Sequence, residues 1–158
     1  MNIRHDNTRK NKKSIIRYFY LINVFFLILT GSGQMPIFNR YYIADIPGLG
    51  WLGEFYVTHY MHYLFAIIFI AFITYIITDH LLSKLKNIKI TSSGYFRGGI
   101  ISGVVITGGL LVIRNLRGSG FEPGFIIFLD LSHLGLVIML LVAGIYCAVF
   151  KKRWAENK

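Results

Sequence analysis

Two histidines three residues apart, His59 and His62, open one long apolar run, and a third, His133, lies inside another. An imidazole in a water-free setting can hydrogen-bond a neighbouring helix, pass a proton, or give a nitrogen lone pair to a metal. Two neutral imidazoles on facing helices are the donor set that holds a haem iron on both faces. Which chemistry applies depends on the depth at which the surrounding elements place the three rings.

Those elements are membrane spans. Of the 158 residues 54% are hydrophobic and mean hydropathy is +0.55. A soluble domain of this size cannot hide that much apolar surface, and several runs approach the roughly 20 residues that cross a bilayer as a helix. The pattern predicts an all-α integral membrane protein, an antiparallel four-transmembrane-helix bundle with both termini cytoplasmic. The helices are expected over Ser14–Gly31, Phe55–Thr78, Gly98–Ile113 (from Tyr95 with a looser boundary) and Phe125–Phe150. Residues 14–150 then form one domain between two basic tails, 1–13 and 151–158, the first expected to be disordered. No internal repeat is evident.

Charge sets the orientation. Of 17 Lys and Arg, six lie at or before Arg17, four from Lys84 to Arg97 and four from Lys151 onward, all on one side if four helices alternate. Only Arg40, Arg114 and Arg117 fall on the other side. This is the positive-inside bias. It assigns the net charge of +10 to orientation and to contact with anionic lipid, not to nucleic acid. A positive stretch, an apolar run and the small residues Thr30-Gly31-Ser32-Gly33 also resemble a signal peptide. Cleavage would leave an odd number of spans, so an uncleaved anchor is expected. Gly48-Leu49-Gly50-Trp51-Leu52-Gly53 spells G-x-G-x-x-G, but lacks the βαβ unit that nucleotide binding requires. It sits in an outer loop, Ser32–Glu54, whose Ile37, Phe38, Tyr41, Tyr42, Ile43 and Trp51 suit the membrane interface. The single Cys147 supports no disulfide framework and no cysteine-based metal centre.

Depth separates the histidines. At 1.5 Å per residue His133 lies about 12 Å below Phe125, His62 about 10 Å below Phe55, and His59 only about 6 Å below it. The depths pair His62 with His133 as ligands of one haem b. His59 is left one turn above, as a neighbour of the ligand or part of a substrate site. His80 is about 27 Å from His62 along the helix and serves no common site; His5 belongs to the tail. Arg114 and Arg117, one turn apart, suit haem propionates, or equally lipid headgroups or a partner. Asp130, one turn from His133, is an interfacial carboxylate or a proton-transfer group. Gly98, Gly99, Ser102, Gly103, Gly108 and Gly109 make the third helix rich in small residues. Gly99 and Gly103 form a G-x-x-x-G, which suits close helix packing and, at Gly103, room for a porphyrin.

With these residues in place the chain resembles the four-helix cytochrome b subunits of membrane-bound formate dehydrogenases and nickel–iron hydrogenases, from about Arg17 to Phe150. That family opens its first helix with Arg-x-x-His and ends it near Thr-Gly; here Arg17-Tyr18-Phe19-Tyr20 leads to Thr30-Gly31. Tyr20 replaces the first ligand of the family's inner haem. Fourteen residues after His133, where its second ligand would be, stands Cys147. The resemblance therefore implies a single haem on the outer side, held by His62 and His133. It also implies a relay between an extracytoplasmic iron–sulfur or cytochrome subunit and quinone in the cytoplasmic membrane. Two other classes stay open: a haem-free anchor or assembly subunit, and a proton-coupled transporter using His59, His62 and Asp130. Four spans without broken helices disfavour the transporter.

Overall fold

The computed structural model describes residues 3–35, 45–84, 88–116, 120–152 and 154–157. Four long helices make up most of it: α1 (Ile3–Gly33), α2 (Phe55–Lys84), α3 (Ser92–Arg114) and α4 (Pro123–Val149). A 3-10 turn, Gly50–Gly53, precedes α2, and two three-residue strands, β1 (Ile88–Ile90) and β2 (Ala155–Asn157), pair antiparallel. Each helix contains a stretch long and apolar enough to cross a membrane: Ser14–Gly33, Phe55–Asp79, Ser92–Arg114 and Pro123–Val149. Between 6% and 17% of each stretch is buried, so most of the apolar side chains face outward, as lipid requires and water would penalise.

The helix ends follow local chemistry and correct several sequence boundaries. The expected disordered tail 1–13 is helical from Ile3, continuous with the first span. Neither proline nor glycine precedes Gly31, and extending an existing helix through Lys, Arg and Asn is far easier than starting one. The expected loop from Asp79 to Arg97 shrinks for the same reason, since α2 continues to Lys84. At its other end Thr91 caps α3, its hydroxyl accepting from the Gly94 amide at 3.1 Å, so this helix starts at Ser92 and not at Gly98. Pro123 occupies the first turn of α4, where its missing N–H is harmless.

The chain divides into two units, residues 1–79 and 80–158. In the first, Phe26 stacks on Phe65 with centroids 4.6 Å apart, and Tyr20 lies against Phe69 and Phe72. Leu52 of the 3-10 turn is fully buried against Gly33, where a Cβ would come within 3.3 Å of its side chain and its carbonyl. In the second unit Ser93 meets Cys147, Gly103 meets Leu136, Thr107 meets His133 and Arg114 meets Asp130, so later residues of α3 meet earlier residues of α4.

Residues 154–157, within the expected basic tail 151–158, return to the chain. Ala155–Asn157 pairs with Ile88–Ile90, and the Trp154 carbonyl accepts from both the amide and the hydroxyl of Thr91 at 3.1 Å. The Trp154 ring lies 4.1 Å from the guanidinium of Arg97, which is buried and also donates to the carbonyl and hydroxyl of Ser93. Gly94 lets this happen: a Cβ there would collide with the Trp154 carbonyl and reach 2.9 Å from Ile90 Cγ2. Main-chain carbonyls do not yield easily, so Gly94→Ala is expected to lift β2 from β1. Lys89 and Glu156 are register partners. A disulfide between cysteines placed at both positions, in a Cys147→Ser background, should form readily with Gly94 and roughly tenfold less with alanine, the scale of a modest overpacking penalty.

Candidate functional site: two threonine-seated histidines

In the first unit, His62 on α2 faces Thr30 near the end of α1. Its Nδ1 is 3.1 Å from the Thr30 hydroxyl, and that hydroxyl lies 2.7 Å from the Phe26 carbonyl one turn earlier. The next residue, Gly31, leaves space for the ring: a Cβ there would stand 3.2 Å from His62 Cε1 and 3.5 Å from Nδ1. Thr30 is fully buried. Asn23, two turns further into α1, donates to the Phe65 carbonyl at 3.3 Å. Its Oδ1 is the one buried side-chain oxygen without a hydrogen-bond partner among the described residues.

In the second unit the same arrangement recurs. His133 Nδ1 is 3.0 Å from the Thr107 hydroxyl, which lies 2.8 Å from the Gly103 carbonyl one turn earlier. A Cβ on the following residue, Gly108, would stand 3.2 Å from His133 Cε1 and 3.6 Å from Nδ1. Each unit thus contains a Thr-Gly pair on one helix and a histidine on the next, with ring contacts matching to about 0.1 Å. The likeness is confined to these residues. It is a three-residue constellation whose members are separated by 32 residues in one unit and 26 in the other.

The remaining site candidates divide. His59 does not share the threonine seat. Its Nδ1 is 3.0 Å from Gln34 Oε1, and Gln34 in turn donates to the Thr30 carbonyl at 3.3 Å. The ring lies between Phe55 and Tyr63, at centroid distances of 5.3 and 4.4 Å. His59 is thereby tied to Thr30 through Gln34, beside the seat of His62 and not within it. Arg114 is engaged with Asp130 at 3.1 Å, an ion pair whose side chains are 31% and 53% exposed. At that exposure it contributes at most about 1 kcal/mol. Gly103 accommodates Leu136, whose Cδ1 a Cβ would meet at 3.0 Å, which is the packing half of its expected role. Gly99, its partner in the G-x-x-x-G, has open space on its Cβ side. Arg117 and the side chains of His5 and His80 lie outside the described residues.

Thr30, Thr107, Gln34, Gly31 and Gly108 were not reached as a site by sequence reasoning. The signal was present: Thr-Gly occurs twice, each time near the end of a span whose successor carries a histidine two or three turns in. Among the described residues no three His, Cys, Asp or Glu side chains converge as a bare metal ion would need. A haem iron asks less of the protein, two axial donors, because the porphyrin supplies the other four nitrogens. No family model, curated protein or solved structure matches the chain.

Proposed function

We propose that this protein is a small haem-b subunit of a respiratory oxidoreductase complex, with His62 and His133 as the axial ligands of one haem. In this reading the helices form an antiparallel bundle with both termini cytoplasmic. The subunit carries electrons between an extracytoplasmic iron–sulfur or cytochrome partner and quinone in the cytoplasmic membrane. The observation that supports it is the repeated seat: the two intramembrane histidines matched by depth are also the two held alike by a threonine hydroxyl and a glycine. A metal-ligating imidazole characteristically has its other ring nitrogen hydrogen-bonded, which fixes the ring and its tautomer. Two imidazoles held in this way are the donors that a bis-imidazole haem requires. When bound, haem supplies reversible one-electron chemistry. The protein's own residues hold and orient the rings and exclude water. His59, tied through Gln34 to Thr30, borders the His62 seat and suits a quinone-facing role; Arg117, and Arg114 if it leaves Asp130, suit the propionates.

The test is a pyridine haemochrome assay and a visible spectrum on the purified full chain. One haem b per chain with a low-spin spectrum is expected. A colourless protein would transfer the case to a haem-free anchor subunit, and two haems per chain would defeat the single-haem reading.

A further inference from the structure

The threonine hydroxyls decide which nitrogen of each histidine can act. A hydroxyl carries one proton. Thr30 Oγ1 lies 2.7 Å from the Phe26 carbonyl and Thr107 Oγ1 2.8 Å from the Gly103 carbonyl. Two oxygens at that separation repel unless a proton lies between them, and a carbonyl has none to give. Each hydroxyl proton is therefore committed to its own helix. The contacts of 3.1 Å to His62 Nδ1 and 3.0 Å to His133 Nδ1 then need a proton from the ring. In both units the imidazole donates from Nδ1, and a neutral ring that donates from Nδ1 carries its lone pair on Nε2. The Gly31 and Gly108 contacts fall on Cε1 and Nδ1, so the glycines seat the Nδ1 edge of each ring.

We propose that Thr30 and Thr107 are positioning residues of a duplicated imidazole seat. Each fixes its histidine in the Nδ1–H tautomer, so that Nε2 is the nitrogen presented to a ligand. The tautomer follows from the seat alone; its consequence for haem rests on the functional reading above. An acceptor at Nδ1–H raises the basicity of Nε2 and holds the ring in place. Removing the acceptor weakens the ligand's basicity and loosens the ring.

Two measurements test this, and they fail separately. The first needs no haem. The full chain, labelled with 15N-histidine, is made without haem supply, placed in lipid nanodiscs and read by NMR at mildly alkaline pH. His62 is isolated by replacing the other four histidines with glutamine, and His133 likewise. A protonated Nδ1 and an unprotonated Nε2 at both positions is expected, with loss of that single tautomer in Thr30→Val, a smaller loss in Thr107→Val, where the Val104 carbonyl remains an acceptor for His133, and its return in Thr30→Ser and Thr107→Ser. Nε2–H at either histidine in the unaltered seat overturns the inference. The second measurement uses the haem-loaded chain. Each valine variant should release haem to an acceptor apoprotein about tenfold faster, the scale of losing an outer-sphere partner. Its midpoint potential should also move upward, with serine restoring both. Unchanged potential and release in haem-loaded valine variants overturn the positioning role while leaving the haem reading intact. A chain that never takes up haem overturns the haem reading and leaves the tautomer result to stand or fall by NMR.

Discussion

Replacing either His62 or His133 with alanine is expected to remove the haem, lowering its content from about one per chain by tenfold or more, as the loss of an axial donor should. The helices should survive. The Thr–His hydrogen bonds lie between apolar spans, where such bonds contribute only about 0.5–2 kcal/mol. Aromatic pairs such as Phe26–Phe65 and Phe19–Phe72 join α1 to α2 independently of these hydrogen bonds. Circular dichroism and a monodisperse elution profile would show that the alanine variants are folded, so that missing haem reports on ligation. His59→Ala is the informative control. Its partner is Gln34 and not the threonine seat, so haem content should stay near that of the unaltered chain. Full haem in His62→Ala together with loss in His59→Ala would reverse the assignment of the two rings.

Adding bulk beneath the rings should act almost as strongly without touching a ligand. At Gly31 and Gly108 an added Cβ would lie 3.2 Å from the Cε1 of the seated histidine, so alanine obliges each ring to shift by a few tenths of an ångström. Valine places a further methyl in the volume the ring occupies. Alanine is expected to reduce haem content partially. Valine should approach the histidine deletions, since overpacking of about 1–3 kcal/mol is enough to change occupancy tenfold or more. Gly98 and Gly109 on α3 provide the contrast, because nothing lies within 4 Å of a Cβ at either. Alanine there should leave the spectrum unchanged. Equal effects at all four glycines would mean that helix flexibility, and not the seat, is what these residues supply.

The four spans were legible because length and hydropathy alone decide whether a segment suits a bilayer, and the histidine depths followed from a constant rise per residue. The helix ends were less so. Lys84 and Arg97 look like loop residues by charge, yet helix extension carries α2 to the first, and a guanidinium covered by the Trp154 ring fits the second into α3. Nothing local in Ala155-Glu156-Asn157 marks a strand; its partner at Ile88–Ile90 lies more than 60 residues away, and only the folded chain brings them together. The threonine seats were hidden for a related reason. Their members sit on different helices at unequal separations, so a search for a fixed period passes over them. In the sequence Thr30 and Gly31 look like small residues that end a span, which describes their position but not the ring they seat.

The pairing of Ile88 with Asn157 also bears on the order in which the chain can be completed. β1 is synthesised before α3 and α4, and β2 only after both. The two strands therefore cannot meet until both intervening helices are in place, at the earliest some seconds after β1 emerges, given elongation of about 5–20 residues per second. Until then Arg97 has no indole over it. The closing of this small sheet thus follows completion of both helices between its strands, and a chain stalled before β2 would keep an uncovered guanidinium near the start of α3.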